Sequence, residues 1–479
     1  MVSEGRRLVI EPVTRVEGHG KVTILLDAEN RVEQARLHIV EFRGFERFIR
    51  GRPYWEMPVA VQRLCGICPV SHHLCAAKAV DKIIGVDRLT PTAEKMRRLM
   101  HYGQIFQSHS LHFFHLASPD LLFGFDADPK TRNIVGIIEQ HRELAVQAVM
   151  MRKFGQEVIR ATAGKKIHGT GAIPGGINKN LSIAERDALL ADTDQMLGWS
   201  RSAVKIAKDY TLEHLESISD FGSFESNHLS IVRDDGAMDL YDGGLRAVTP
   251  DGETIFDHVD NDDYLGYIAE GVRDWSYMKF PFIRSIGEEN GWYRVGPLSR
   301  VNTCDFIDTP EGEAARKDFM SLTKGRPNHL TMAYHWARMI EVLHSIEKII
   351  DLLHDPDLQG EDLVVTGERR DEGIGVIEAP RGTLFHHYRV GKDDLVTMCN
   401  LIVSTTSNNE PMNRAVRAVA ERYISGKPEV TEPMLNAVEV AIRAYDPCLS
   451  CATHALGHMP LEVELIGPDG VVIDRGSKE

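Results

Sequence analysis

The sequence predicts an α+β fold, predominantly helical, in which a central bundle of long helices carries β-hairpin additions near the N- and C-termini. Three patterns predict it. Met332, Trp336, Met339, Leu343, Ile346, Ile350 and Leu353 recur at spacings of three and four, which lays one apolar stripe along a long helix. Near the N-terminus Val22, Ile24 and Leu26 alternate with polar residues, a turn-like Asp27 to Asn30 follows, and Leu37 and Ile39 resume the alternation, as in a β-hairpin. At the other end Leu461, Val463 and Leu465 alternate, Gly467, Pro468, Asp469 and Gly470 punctuate, and Val471 to Ile473 resume, which predicts a second hairpin. A less regular helical stretch runs from Met96 to Phe114, and no Pro-, Gly- or Ser-rich linker divides the chain.

With 479 residues the chain can bury a large core. Its 55 Lys plus Arg against 70 Asp plus Glu give a net charge of -15, which disfavours nucleic acid and anionic lipid as partners. The start, MVSEGRRLVIEP, has no apolar run behind its arginines, and no later stretch offers about 18 apolar residues for a membrane span. A cytoplasmic protein is expected. Seven cysteines are too sparse for a secreted disulfide framework. Cys75, Cys304 and Cys399 read as small buried hydrophobes.

The remaining four form two CxxC pairs, Cys65 and Cys68 in RLCGICPVSHH, Cys448 and Cys451 in DPCLSCATH. A two-residue spacer lets one local turn aim two sulfurs at one ion, and two such turns together make a four-thiolate pocket. Taken alone, such pairs read as a structural zinc site. Zinc modules, however, bring their pairs within about 15 to 20 residues, because the metal there organises a short chain that lacks a core. Here the pairs lie at opposite ends of a chain with ample core of its own, which favours a catalytic site. A thioredoxin-like redox role needs only one pair inside a βαβ pattern, and neither pair sits in one. Thiolates suit nickel as well as zinc, so the cysteines alone do not identify the metal.

The neighbouring residues narrow the choice. RLCGIC with His72 four residues after Cys68, together with DPCLSCATH, resembles the two signature motifs of nickel-iron hydrogenase large subunits. EPVTRVEGH, FRGFE and EAPRG fall in the matching order, so the resemblance spans nearly the whole chain. VEFRGFERF, MRKFGQEVI, EAPRGTLFHHYR and AYDPCLSCATHALG are most similar to the NAD-reducing, bidirectional cytoplasmic group. The resemblance implies that Cys65, Cys68, Cys448 and Cys451 bind nickel, and that Cys68 and Cys451 also bridge to an iron carrying carbon monoxide and cyanide.

Heterolytic cleavage of dihydrogen yields a hydride and a proton, and the proton needs a base and a route outward. By its residue type alone, Glu17 between Val16 and Gly18 is a solvated charge; the resemblance makes it the proton-relay carboxylate. Arg381 in EAPRG, always protonated, can sit over an open metal position, where without the motif it would be a surface arginine after the turn-forming Pro380. Its buried charge requires a carboxylate, and the resemblance points to Asp446 and to Asp120 in HLASPD. Pro380, Arg381 and Thr405 are the expected contacts of the diatomic ligands, although STTSNN around Thr405 departs from the proline and tryptophan of many relatives. His72 resembles the histidine that hydrogen-bonds a bridging sulfur, with a satisfied core histidine as the competing reading. Glu46 in FRGFE and His454 resemble the ligands of a separate magnesium.

In this family the large subunit is made with a tail that a maturation endopeptidase removes just after the second motif. The resemblance therefore implies a domain over 1–454 and an extension over 455–479. No cysteine set remains for an iron-sulfur cluster, and no GxGxxG opens a βαβ unit for NAD. The implied partners are a small subunit with an iron-sulfur cluster and a flavin-containing diaphorase, with FMN, that reduces NAD. Two rivals remain, the quinone-site subunit of respiratory complex I, which lacks the metal cysteines, and a zinc-stabilised scaffold without catalytic activity.

Overall fold

Long helices and small sheets alternate along the chain in the computed structural model, which describes residues 6–40, 44–453, 461–466 and 472–478. The N-terminal hairpin is present as β2 (Gly20–Leu26) and β3 (Val32–Ile39), with Val22 opposite Leu37 and Ile24 opposite Ala35. An additional strand, β1 (Arg6–Ile10), pairs antiparallel along the free edge of β2. Asn30 takes a left-handed φ of 58° in the turn, which an Asn tolerates.

The first cysteine pair immediately precedes α1 (Pro69–Ile83). Beyond it, α2 (Pro91–Leu111) packs along α3 (Arg142–Ala163) and α6 (Ala333–His354), and α6 also lies against α4 (Ile183–Glu213); the short α5 (Pro297–Thr303) precedes α6. The stripe read from the sequence lies on α6, which is buried on all sides as far as Ile346, with Trp336, Met339, Leu343 and Ile346 in the core and Met332 just ahead of the first turn. The irregular spacing from Met96 to Phe114 has a cause. From Leu99 to Ser110 every residue of α2 is buried, so no single apolar face stands out, and past its end the helix widens into a π-helical turn at His112–Ala117 before Ser118–Phe123.

Strands are not confined to the two ends, contrary to the sequence reading. Asn227–Val232, Gly244–Val248 and Thr254–Val259, with short Tyr293–Arg294, form a four-stranded sheet in the middle of the chain. A three-stranded antiparallel sheet follows, β4 (Glu372–Ala379), β5 (Gly382–Val390) and β6 (Val396–Ile402). After Glu372 every residue of β4 is buried, so there is no alternation to read. Its glycines have a packing reason. A Cβ on Gly373 or Gly375 would stand 2.1 Å from the carbonyl oxygens of Ala79 and Cys75, so α1 can lie this close to β4 only without side chains there. That contact carries Cys68 to the sheet that bears Arg381. After β6, α7 (Glu432–Ala444) leads to the second cysteine pair. The C-terminal hairpin pairs Leu461–Ile466 with Val472–Lys478, Leu461 opposite Lys478; its turn at Gly467 to Val471 lies outside the described residues.

Candidate metal centre

In the first turn a 3-10 segment ends at Leu64, Cys65 becomes extended, and Cys68 sits at the cap of α1 with Pro69 in the first helical position, where its fixed φ suits the helix. Cys65 Sγ accepts the backbone N–H groups of Ile67 at 3.2 Å and Cys68 at 3.3 Å, which clamps the turn around the sulfur. Cys68 lies at the positive end of α1, a position that favours a thiolate.

The second turn is held from outside itself. Asp446 takes a left-handed φ of 52° to swing the chain out of α7, and Cys448 N–H donates to Thr405 Oγ1 at 2.8 Å. Glu17 makes a bridge with Cys448, its carbonyl accepting from Leu449 N–H at 3.0 Å and its Oε2 from Ser450 N–H at 3.2 Å. Gly18 is what permits this. Its φ is +82° and a Cβ there would stand 2.8 Å from Ser450 N.

The two turns converge. All four cysteines are buried and their sulfurs lie within 4.8 Å of one another, with Cys448 Sγ 3.3 Å from Cys65 Sγ and 2.8 Å from Cys451 Sγ. Hydrogen bonds from Cys448, Cys451 and Cys65 pull the Cys68 thiol well below its usual range, while burial pushes Cys448 and Cys451 up. A divalent cation bound among the four sulfurs would stabilise them as thiolates, the form in which cysteine ligates a metal. Glu17 Oε2 accepts the Cys448 thiol hydrogen at 3.0 Å, at the half-buried margin of the cluster.

Beside the sulfurs is a small cavity of about 10 Å³, barely room for one water molecule, lined by Cys68, His72, Pro380, Arg381, Thr405 and Cys448 among others. Pro380 and Arg381 form the two-residue turn between β4 and β5. Arg381 Nε donates to the Asp446 carbonyl at 2.5 Å and Nη2 to Asp446 Oδ1 at 3.1 Å, while its buried Nη1 has no partner among the described residues. Burial works against the Arg381 charge, but Asp446 and the nearby sulfurs keep its pKa well above the ordinary value. Burial pushes the Asp446 carboxyl up to about 6 against the pull of Arg381, and its Oδ2 is likewise without a hydrogen-bond partner among the described residues. Soft donors on one side and an unpaired guanidinium N–H on the other fit a metal pair carrying small acceptor ligands.

Two expected residues have other partners. Asp120 does not pair with Arg381; it receives Arg15 Nη2 at 2.6 Å and Arg443 Nη1 at 2.9 Å, with Arg132 at 3.7 Å. The π-helical turn ahead of it aims this carboxylate toward the N-terminal segment and α7. Glu46 accepts Leu401 N–H at 2.9 Å and has the Lys279 ammonium at 3.6 Å, and Lys279 also faces Glu270 and Asn400. His454, its expected companion, is outside the described residues. Two residues not singled out in the sequence adjoin the site. His72 Nδ1 is 3.1 Å from His386 Nε2, and His386 Nδ1 is 2.5 Å from Tyr388 Oη. The two-residue spacing puts Leu384, His386 and Tyr388 on one face of β5, but His387 and Arg389 make the other face polar as well, so the sequence carried no clear signal for them.

The fold and site thus define a protein with a four-thiol metal-binding centre whose ligands come from both ends of one chain. A family model described as nickel-dependent hydrogenase matches residues 43–135 and 251–454, and a HoxL-like model matches residues 7–42. The chain is 50% identical to the NAD-reducing hydrogenase HoxS subunit beta of Cupriavidus necator, over 99% of this chain and 100% of that one. It is 42% identical to a chain of the vhc F420-non-reducing hydrogenase of Methanococcus voltae, over 95% and 96%. A crystal structure of an NAD+-reducing NiFe-hydrogenase in the H2-reduced state superposes with a TM-score of 0.92 at 58% identity, covering 94% of this chain and 99% of that one. This chain belongs to the nickel-dependent hydrogenase family.

Proposed function

We propose that the chain is the catalytic subunit of a NAD-reducing nickel-iron hydrogenase that splits or forms dihydrogen. The observation that carries this reading is the meeting of two distant thiol turns, their sulfurs within 4.8 Å of one another, beneath an arginine with an unpaired donor. In it Cys65, Cys68, Cys448 and Cys451 would together hold nickel and an iron carrying carbon monoxide and cyanide. When bound, the metal pair supplies the two-electron chemistry of dihydrogen.

The chain's own residues handle the proton and the geometry. Glu17 Oε2, 3.0 Å from Cys448 Sγ, is within reach to take a proton from that sulfur and pass it outward from its half-buried position. Asp446 fixes the guanidinium plane through Nε and Nη2, which leaves Nη1 as a preorganised donor in the cavity. Thr405 spends its oxygen lone pair on Cys448 N–H, so its own hydroxyl hydrogen is free to donate to a cyanide. Pro380 closes the cavity wall without adding an N–H. His72 acts on the Cys68 sulfur as a hydrogen-bond donor.

The finer reading extends to a magnesium near Glu46 and His454, where Glu270 and Asn400 add the oxygen donors a hard cation takes. It also extends to a small subunit with an iron-sulfur cluster and an FMN-containing diaphorase, since the Cupriavidus relative is one subunit of a NAD-reducing enzyme. The NAD link implies the cytoplasm. Among the described residues no helix is long and apolar enough to cross a membrane. Residues 455–479 are the segment a maturation endopeptidase would remove.

Metal analysis of the assembled, anaerobically purified enzyme tests the core of the reading, with nickel near one per chain and infrared bands of carbon monoxide and cyanide expected. Zinc alone would overturn it. Glu17→Gln should keep nickel and lower hydrogen-dependent turnover by about 10²–10⁴-fold; an unchanged rate removes Glu17 from the proton route.

A further inference from the structure

We infer that Tyr388 and His386 are positioning residues that set a one-way chain of hydrogen bonds, Tyr388 Oη–H to His386 Nδ1 and His386 Nε2–H to His72 Nδ1, so that His72 presents Nε2–H to the Cys68 sulfur. The argument is a count of hydrogens. None of the three side chains is more than 1% exposed. His72 Nδ1 and His386 Nε2 are 3.1 Å apart, and His386 Nδ1 and Tyr388 Oη 2.5 Å. Tyr388 Oη has no other hydrogen-bond partner among the described residues, and burying an O–H without an acceptor is costly, so the phenol must donate to His386. A neutral imidazole carries one N–H and one bare nitrogen, so His386 then donates from Nε2, and His72 in turn keeps its hydrogen on Nε2. Burial supports both premises: it pushes the His386 imidazolium well below its usual range and the Tyr388 phenol well above. His72 lines the same cavity as Cys68, and a hydrogen bond from His72 is among the influences that lower the Cys68 thiol; with Nδ1 turned to His386, Nε2 is the nitrogen left to make it.

The consequence concerns the metal, and it rests on the reading that Cys68 is a nickel ligand. A donor to a metal-bound sulfur withdraws charge from it and raises the reduction potential of the centre; the reversed chain would offer that sulfur a lone pair instead. Tyr388, two side chains from the sulfur, thus holds the donor in place.

In the nickel-loaded assembled enzyme, Tyr388→Phe should leave nickel content unchanged and lower the midpoint potential of the nickel signals in a redox titration. His386→Leu should do the same. His386→Gln, whose amide can still donate to His72 Nδ1, should stay close to the unaltered enzyme, a rescue that a purely space-filling role does not produce. Fully loaded Tyr388→Phe and His386→Leu enzymes with unaltered potentials overturn the inference. Neutron diffraction of the unaltered enzyme decides without variants, with deuterium expected on Nε2 of both histidines; deuterium on His72 Nδ1 overturns it. Absence of nickel from the unaltered enzyme would instead refute the metal assignment itself.

Discussion

Asp120 and Asp446 are both buried against arginine, yet they are opposite kinds of site. Asp120 faces Arg15, Arg132 and Arg443, with Asn436 at 3.4 Å, and both of its oxygens are used. The Asp446 carboxylate is held by Arg381, and that pair leaves one oxygen and one nitrogen without partners among the described residues. The difference teaches how to tell a cluster that holds the fold from one that serves chemistry. A completed network has nothing left to give a ligand, whereas an incomplete one beside a cavity and four thiols is stable only if something else completes it.

Substitutions can break this contrast. Asp120→Ala would strand buried cations and should cost about 3–5 kcal/mol in denaturant unfolding, while the enzyme that remains folded turns over within a few-fold of normal. A large loss of turnover at full stability would erase the distinction. Arg381→Lys keeps the charge but cannot both hold Asp446 and donate into the cavity, so turnover should fall about 10²–10³-fold, with nickel content and unfolding midpoint nearly unchanged. Thr405→Val leaves Cys448 N–H without its acceptor and should cost about 1–3 kcal/mol, read as weaker nickel retention against a chelator.

The smallest effect comes from a second buried charge network, that of Glu341. Burial alone would raise the Glu341 carboxyl, but Arg300 and His109 bring it from 4.5 down to about 2. Because the folded value is depressed, its stabilisation is complete above about 4.5 and disappears as the pH falls toward 2. Acid titration of stability should therefore be flatter in Glu341→Gln across that window than in the unaltered protein. An identical slope in the two would show that Glu341 is not one of the groups that hold the fold together.

Much of this was legible in the sequence, and the part that was not has a physical pattern. The β2–β3 hairpin has one half-exposed face and the last turns of α6 reach solvent, so part of their periodicity survives in the residues. The strands β4 and β5, joined by the turn that carries Arg381, are almost wholly buried on both faces, so no polar-apolar alternation marks them in the sequence. The cysteine pairs stood out because thiols at that spacing have few other uses. Asp120 and Asp446 are indistinguishable as letters beside prolines, since what separates them is which arginine the π-helical turn and the left-handed Asp446 bring within reach. His386 and Tyr388 were missed because the polarity of a hydrogen-bond chain exists only in three dimensions.

The pairing of Glu17 with Cys448 also gives the centre a history. Cys65 and Cys448 are 383 positions apart, so at ~5–20 residues per second a ribosome delivers the second roughly 20–80 s after the first. Throughout that interval the early turn can offer an incoming ion two sulfurs at most, and the N-terminal strap that seats the late turn has nothing to grip. Metal delivered during synthesis would meet half a ligand set, which places productive loading after the chain's two extremities have found each other.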